Sequence, residues 1–157
     1  MSGLIMAEPG LPGANGSRNH QPAPAPRELH QVPARPRVMV VDDDDSVRET
    51  LADLLEMEGF EPVSASSAEA ALHILSGCAV DVLVTDLSMP GADGITLIRQ
   101  ARCLHKTLPA ILLTGYAEQE TAVSIMAGGH FHVLRKPVEV THLIRQIDLL
   151  LSAELRR

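Results

Sequence analysis

The chain has 157 residues, 13 Lys and Arg against 20 Asp and Glu, and a formal net charge of −7. That length suits one domain with room for a core, and the acidic balance argues against a nucleic-acid binder, which would carry a basic face. Its apolar runs are too short to span a bilayer, its first seven residues lack the basic start and apolar length of a signal peptide, and Cys78 and Cys103 fit neither a metal spacing nor a disulfide framework, so a cytoplasmic protein is expected, without membrane insertion.

Residues 1–36 are rich in Pro, Gly, Asn and Gln, including Pro22-Ala23-Pro24-Ala25-Pro26, and nearly balance Arg18, Arg27 and Arg35 against Glu8 and Glu28. Such a segment buries too little apolar surface to repay ordering, so a disordered tail or linker with polyproline character is predicted. From Arg37 the pattern alternates between strand and helix. Arg37–Val41 reads as a strand, then 46–58 as a helix with Val47, Leu51, Leu54 and Leu55 on one face, a Ser46…Glu49 capping box and Gly59 as its stop. A more polar strand over 60–65 suits a sheet edge. Ser66…Glu69 opens a second helix that runs to Leu75 and ends at Gly77. Residues 81–85 form an apolar strand of the buried type. Asp93 caps a third helix running to about Cys103, 108–113 is a fourth strand, 118–127 a fourth helix, 131–134 a fifth strand and 139–152 a last helix, leaving 153–157 as a short end. In the last helix Val140, Leu143, Ile144, Ile147 and Leu151 face inward.

Five strand–helix repeats over 37–152 imply an α/β domain with a parallel sheet and helices on both faces. Such sheets bind ligands beyond the carboxyl ends of their strands. The residues at those ends are Asp42 and Asp43, Asp86, Thr114 and Lys136. Carboxylates gathered so closely repel one another, and they stay ionised together around a cation, for which hard oxygen ligands favour Mg²⁺. Asp86 is the candidate nucleophile toward a phosphoryl donor. Asp43, Asp86 and a carbonyl after Asp86, assigned to Ser88, are the candidate Mg²⁺ ligands, with Asp42 acting through water. Lys136 and the Thr114 hydroxyl are placed to meet phosphoryl oxygens, since phosphoryl transfer is mostly positioning and charge neutralisation. Gly115 leaves room for the group. Singly, each residue has a plainer role: Asp44 and Asp45 cap the first helix, Asp86 sits in a turn and Thr114 bonds to backbone. The His130/His132 pair lacks a third ligand and reads as loop and strand start rather than metal site. Met57, Met89 and Met126 read as packing, and Arg99, Arg102, Arg145, Arg156 and Arg157 as solvated helix faces.

Val40-Val41-Asp42-Asp43-Asp44 followed by Val47-Arg48, Asp86-Leu87-Ser88-Met89-Pro90-Gly91 followed by Gly94, Leu113-Thr114-Gly115-Tyr116 and Lys136-Pro137 together resemble the receiver domain of two-component response regulators over residues 36–152. The resemblance implies a flavodoxin-like fold with strand order 2-1-3-4-5 and a cis Lys136-Pro137 peptide. It also implies phosphorylation of Asp86, with Mg²⁺, by a histidine kinase or a histidine phosphotransfer protein. It makes the chain a signalling module, assisting only its own phosphorylation and dephosphorylation. Homodimerisation through the last helix and strand is common in such domains. Two positions bear on mechanism. Val133 stands where the family usually has Phe or Tyr, with Phe131 on the same face by strand alternation. Tyr116, with Ser88, is expected to set the rate of phosphoryl hydrolysis. The chain suits a stand-alone receiver or the C-terminal receiver of a hybrid sensor kinase, its initial Met favouring the former. The competing readings are a haloacid-dehalogenase-type phosphatase, which would need a second Asp where Ser88 stands, a pseudo-receiver that binds proteins without phosphorylation, and a flavodoxin-like cofactor binder, which would need a Gly-rich phosphate loop.

Overall fold

The structure is a computed structural model that describes Gly10 and residues 34–115 and 130–156. The chain divides into two units, Met1–Val32 and Pro33–Arg157. Only Gly10 of the first is described, so the expectations for the Pro-rich tail, like those for the 118–127 helix, Tyr116, Met126 and Arg157, lie outside the described residues.

Among the described residues, five short strands build the sheet of the second unit: β1 (Arg37–Val41), β2 (Glu61–Ala65), β3 (Val82–Asp86), β4 (Ala110–Thr114) and β5 (Phe131–Arg135). All four pairings are parallel and the order is β2-β1-β3-β4-β5. The polar β2 is an edge strand, as expected. β3 and β4 are buried along their whole length, which suits central strands covered on both faces.

Four helices are described: α1 (Asp45–Met57), α2 (Ala68–Leu75), α3 (Gly94–Leu104) and α4 (Val140–Glu154). Strand side chains alternate between two cores. Met39, Val41, Leu83, Ala110 and Leu112 pack with α2 and α3, and the half-buried Phe131 and Val133 both join this side. Val38, Val40, Val82, Val84, Ile111, Leu113 and Leu134 pack with Leu51 and Leu55 of α1 and with Leu143, Ile147 and Leu150 of α4. Leu54, Ile144 and Leu151 are half-buried, and Val47 at the start of α1 is 37% exposed, so the apolar stripe of α1 begins one turn later than its pattern suggested.

Four sequence readings are corrected. Of the caps offered for α1, the N-cap is Asp44, whose carboxylate accepts from the Ser46 and Val47 N–H groups, and not the Ser46 of the capping box. An ionised carboxylate at the positive end of the helix dipole outcompetes a hydroxyl there. The N-cap of α2 is Ser67, accepting from the Ala70 N–H at 3.1 Å, one residue later than Ser66. Met57 is 82% exposed and packs in no core. Arg102 is half-buried: its guanidinium donates to the carbonyls of Leu108 and His130 at 3.3 and 3.1 Å, tying the C-terminal part of α3 to the segments entering β4 and β5. Asp93 does cap α3, through the Thr96 N–H at 2.8 Å. Gly59 takes φ +92° just beyond the end of α1, a conformation other residues reach only with strain.

Candidate functional site

The carboxyl ends of β1, β3 and β4 and the turn after β5 meet at one edge of the sheet, and each delivers a polar group. Apolar Val38–Val41 draws the next residue inward, so Asp42 is only 2% exposed. Asp86 and Thr114 end β3 and β4 and are buried as well, at 8% and 0%. Asp43 stays exposed. One carboxylate oxygen from each of Asp42, Asp43 and Asp86 lies within 4.8 Å of the other two. Lys136, at the cis Lys136–Pro137 peptide, reaches both buried carboxylates, with Nζ 3.1 Å from Asp86 Oδ1 and 3.7 Å from Asp42 Oδ2.

Burial pushes the Asp42 carboxyl above the ordinary carboxylate range, and the Asp86 and Asp43 charges push the same way. The Asp44 N–H, donating to Asp42 Oδ1 at 2.9 Å, and the Lys136 ammonium oppose this in part. Asp42 Oδ2 is buried and accepts no hydrogen bond among the described residues. A buried anionic oxygen without a donor, facing two further carboxylates, is a site suited to a hard divalent cation. Asp44, by contrast, is held below the usual range by its bonds to the Ser46 side chain and the α1 N–H groups, which marks it as a helix cap rather than a member of the cluster.

The backbone at Asp86 is tightly held. Its carbonyl accepts the Thr85 hydroxyl at 3.0 Å, and the Leu87 N–H donates to the Leu113 carbonyl at 2.8 Å. Gly94, the first residue of α3, lies against it so closely that a Cβ there would sit 2.3 Å from the Asp86 carbonyl oxygen and 2.8 Å from Leu112 Cδ1. The positive φ of Gly91, +81°, turns the loop from β3 so that α3 can start there.

The structure thus brings together Asp42, Asp43, Asp86 and Lys136. Thr114 shares their edge of the sheet, but its hydroxyl donates to the Gly115 carbonyl at 3.0 Å, the backbone role weighed from sequence. Ser88 is exposed, two residues beyond β3. Sequence reasoning gave Thr85 no part and placed Arg48 only within the motif that carries the resemblance. The close approach of Gly94 was signalled only by a Gly where a helix opens. His130 and His132 form no three-ligand group among the described residues. His130 Nδ1 instead faces Glu154 Oε1 at 3.6 Å.

A family model described as the response regulator receiver domain matches residues 38–148. The regulatory protein AtoC of Escherichia coli is 37% identical over 107 residues, covering 68% of this chain and 23% of AtoC. An uncharacterised 14.6 kDa protein of Leptolyngbya boryana is 40% identical over 120 residues, covering 75% of this chain and 92% of its own. The solved structure of a response regulator receiver domain protein from Clostridium thermocellum superposes with a TM-score of 0.72 at 30% identity, covering 76% of this chain and 96% of that one. The chain spans under a quarter of the length of the first curated relatives it matches.

Proposed function

The chain belongs to the response regulator receiver family of two-component signalling, and from that premise we propose that Asp86 accepts a phosphoryl group from the phosphohistidine of a histidine kinase or histidine phosphotransfer protein. The observation that carries the reading is the single ammonium of Lys136 between Asp86 and Asp42, beside a carboxylate triad within 4.8 Å. Attack by an Asp86 oxygen on phosphorus forms an acyl phosphate while the P–N bond breaks and its electron pair returns to the imidazole. Lys136 stabilises the ionised nucleophile beforehand and meets a phosphoryl oxygen afterwards. Asp42, Asp43, Asp86 and the Ser88 carbonyl would hold Mg²⁺, which would supply positive charge to the oxygens of the transferring group. Thr114 gives up its bond to Gly115 to donate to a phosphoryl oxygen. The Thr85 bond and the packing of Gly94 hold the acceptor's backbone in place during transfer. Phosphorylation and self-dephosphorylation are the chain's own chemistry, and its output is a conformational signal.

Intact-mass spectrometry after incubation with acetyl phosphate and Mg²⁺, beside Asp86→Asn, tests this. A Mg²⁺-dependent phosphoryl adduct that the variant lacks is expected. No adduct, together with a beryllofluoride complex that leaves the amides near Asp86, Thr114 and Lys136 unperturbed, would refute it.

A further inference from the structure

Four consecutive aspartates end β1 and start α1, and each has a different environment. Asp42 is buried, Asp43 is exposed yet contributes an oxygen to the triad, Asp44 caps α1 and Asp45 opens its first turn. Nothing about a run of like charges in a loop keeps the second of them beside two buried carboxylates. Repulsion favours its swinging into water.

Arg48 lies one helical turn further on and folds back over this run. Its side chain is only 14% exposed although α1 is a surface helix. Nη1 donates to the Asp42 carbonyl at 2.8 Å, and Nη2 bonds to the Asp45 carboxylate. The Arg48 N–H also donates to the Asp44 carbonyl at 3.0 Å, so one residue is bonded to three of the four aspartates. The remaining one is Asp43, whose own amide nitrogen belongs to the peptide that carries the Asp42 carbonyl.

We infer that Arg48 is a positioning residue for the divalent-cation pocket, fixing the Asp42–Asp43 peptide so that the exposed Asp43 carboxylate stays with its buried partners. The inference rests on the phospho-receiver reading and deepens it, since Arg48 meets neither the cation nor the phosphoryl group. The rigid guanidinium fork suits the task because it spans a carbonyl and a carboxylate at once, which a single ammonium does not. Its charge is largely spent on Asp45, so what it supplies to the pocket is geometry.

Charge and geometry predict opposite signs. By Coulomb's law alone, removing a cation from the loop that carries the pocket should tighten divalent binding. Removing the clamp should loosen it by about tenfold, the lower end of the loss seen when groups that orient metal ligands are removed. The test titrates the full chain with Mn²⁺ and counts free ion by electron paramagnetic resonance, for the parent, Asp43→Asn and Arg48→Gln. A parent that takes up no Mn²⁺, or that binds it undiminished in Asp43→Asn, ends the receiver reading itself and this inference with it. Given a site, Arg48→Gln is expected to bind about tenfold more weakly, to show a shifted Asp43 amide resonance, and to regain the parental rate of acetyl phosphate labelling at saturating Mg²⁺. Unchanged or tighter binding in Arg48→Gln overturns the inference alone. Should Arg48→Gln fail to unfold cooperatively, Arg48→Lys keeps the charge but not the fork. Binding weakened by at least about threefold then supports the clamp, and unchanged binding overturns it.

Discussion

Asp42→Asn should make the metal-free protein more stable. Asn keeps the oxygen that accepts the Asp44 N–H and removes the charge. For separations of up to 4.8 Å and an effective dielectric of about 20, each repulsion from Asp86 and Asp43 costs about 3.5 kcal/mol or more. The lost attraction to Lys136 at 3.7 Å offsets about 4.5 kcal/mol of the two repulsions together. Losing the charge on the Asp44 bond offsets about 1 kcal/mol more. Release from burying an anion adds to the gain, leaving a net stabilisation of about 2 kcal/mol, or about 6 °C in Tm for a domain of this size. The pH dependence has a definite sign. The folded-state pKa of Asp42 is raised, so the parent has its full stability at this site when Asp42 is protonated, below the ordinary carboxylate range, and loses it as pH rises through the raised value. The variant's advantage is therefore complete at neutral pH and vanishes on acidification. Mg²⁺ reverses the order, because ligand at about a hundredfold over its Kd adds about 2.7 kcal/mol to the parent. Urea unfolding of both proteins in chelator, in Mg²⁺ and across acid pH measures all three effects. A variant less stable than its parent in chelator at neutral pH, or an advantage that grows on acidification, would refute the electrostatic reasoning.

Gly94→Ala forces the Asp86 backbone or the start of α3 to move. It should cost about 2 kcal/mol of stability and slow acyl phosphate formation more than that loss explains, as read by a urea midpoint and the rate of mass increase. Arg102→Ala strips donors from two carbonyls and should lower unfolding free energy by about 2 kcal/mol, with Mn²⁺ affinity unchanged because the contact lies at the opposite edge of the sheet. Asp44→Ala loses the α1 cap and should lower Tm by about 3 °C at neutral pH. The lowered pKa of Asp44 means that its contribution is present above the ordinary carboxylate range and lost as pH falls through the folded value, so the thermal gap between variant and parent closes in acid.

The sheet was legible because its strands are short and separated by amphipathic segments with recognisable ends, so its parallel build followed from alternation and its β2 edge from polarity, while the strand order came from the family resemblance. The acidic pocket was legible because its members occupy equivalent places, the carboxyl ends of β1 and β3, which lie side by side in the sheet. What escaped has a common physical cause. A cap depends on which of several neighbouring residues the backbone turns toward the helix axis, so Ser67 displaced the expected Ser66, and of the candidates Asp44, Asp45 and Ser46 only Asp44 caps α1. Arg102 looks like any surface arginine until the open carbonyls of Leu108 and His130 are placed beside it in space. Arg48 enters the sequence reading only as part of the motif that carries the resemblance, and its carbonyl bond at 2.8 Å appears only once its side chain is seen to fold back over the loop.

The run Asp42–Asp45 also bears on what kinds of sequence change the chain can survive. Four identical letters look expendable, and deleting one leaves an acidic stretch of nearly the same composition. Yet the strand fixes where the run begins and the cap fixes where α1 starts, so a deletion would be absorbed by rotating the helix about 100° about its axis. Leu51 and Leu55 would turn away from the sheet, and the guanidinium of Arg48 would no longer overlie the Asp42 carbonyl. Substitutions within the run change one task at a time, while a change in its length dislocates the pocket, the cap and the core together. The count of aspartates is in this sense a spacer, set as strictly as any of their side chains.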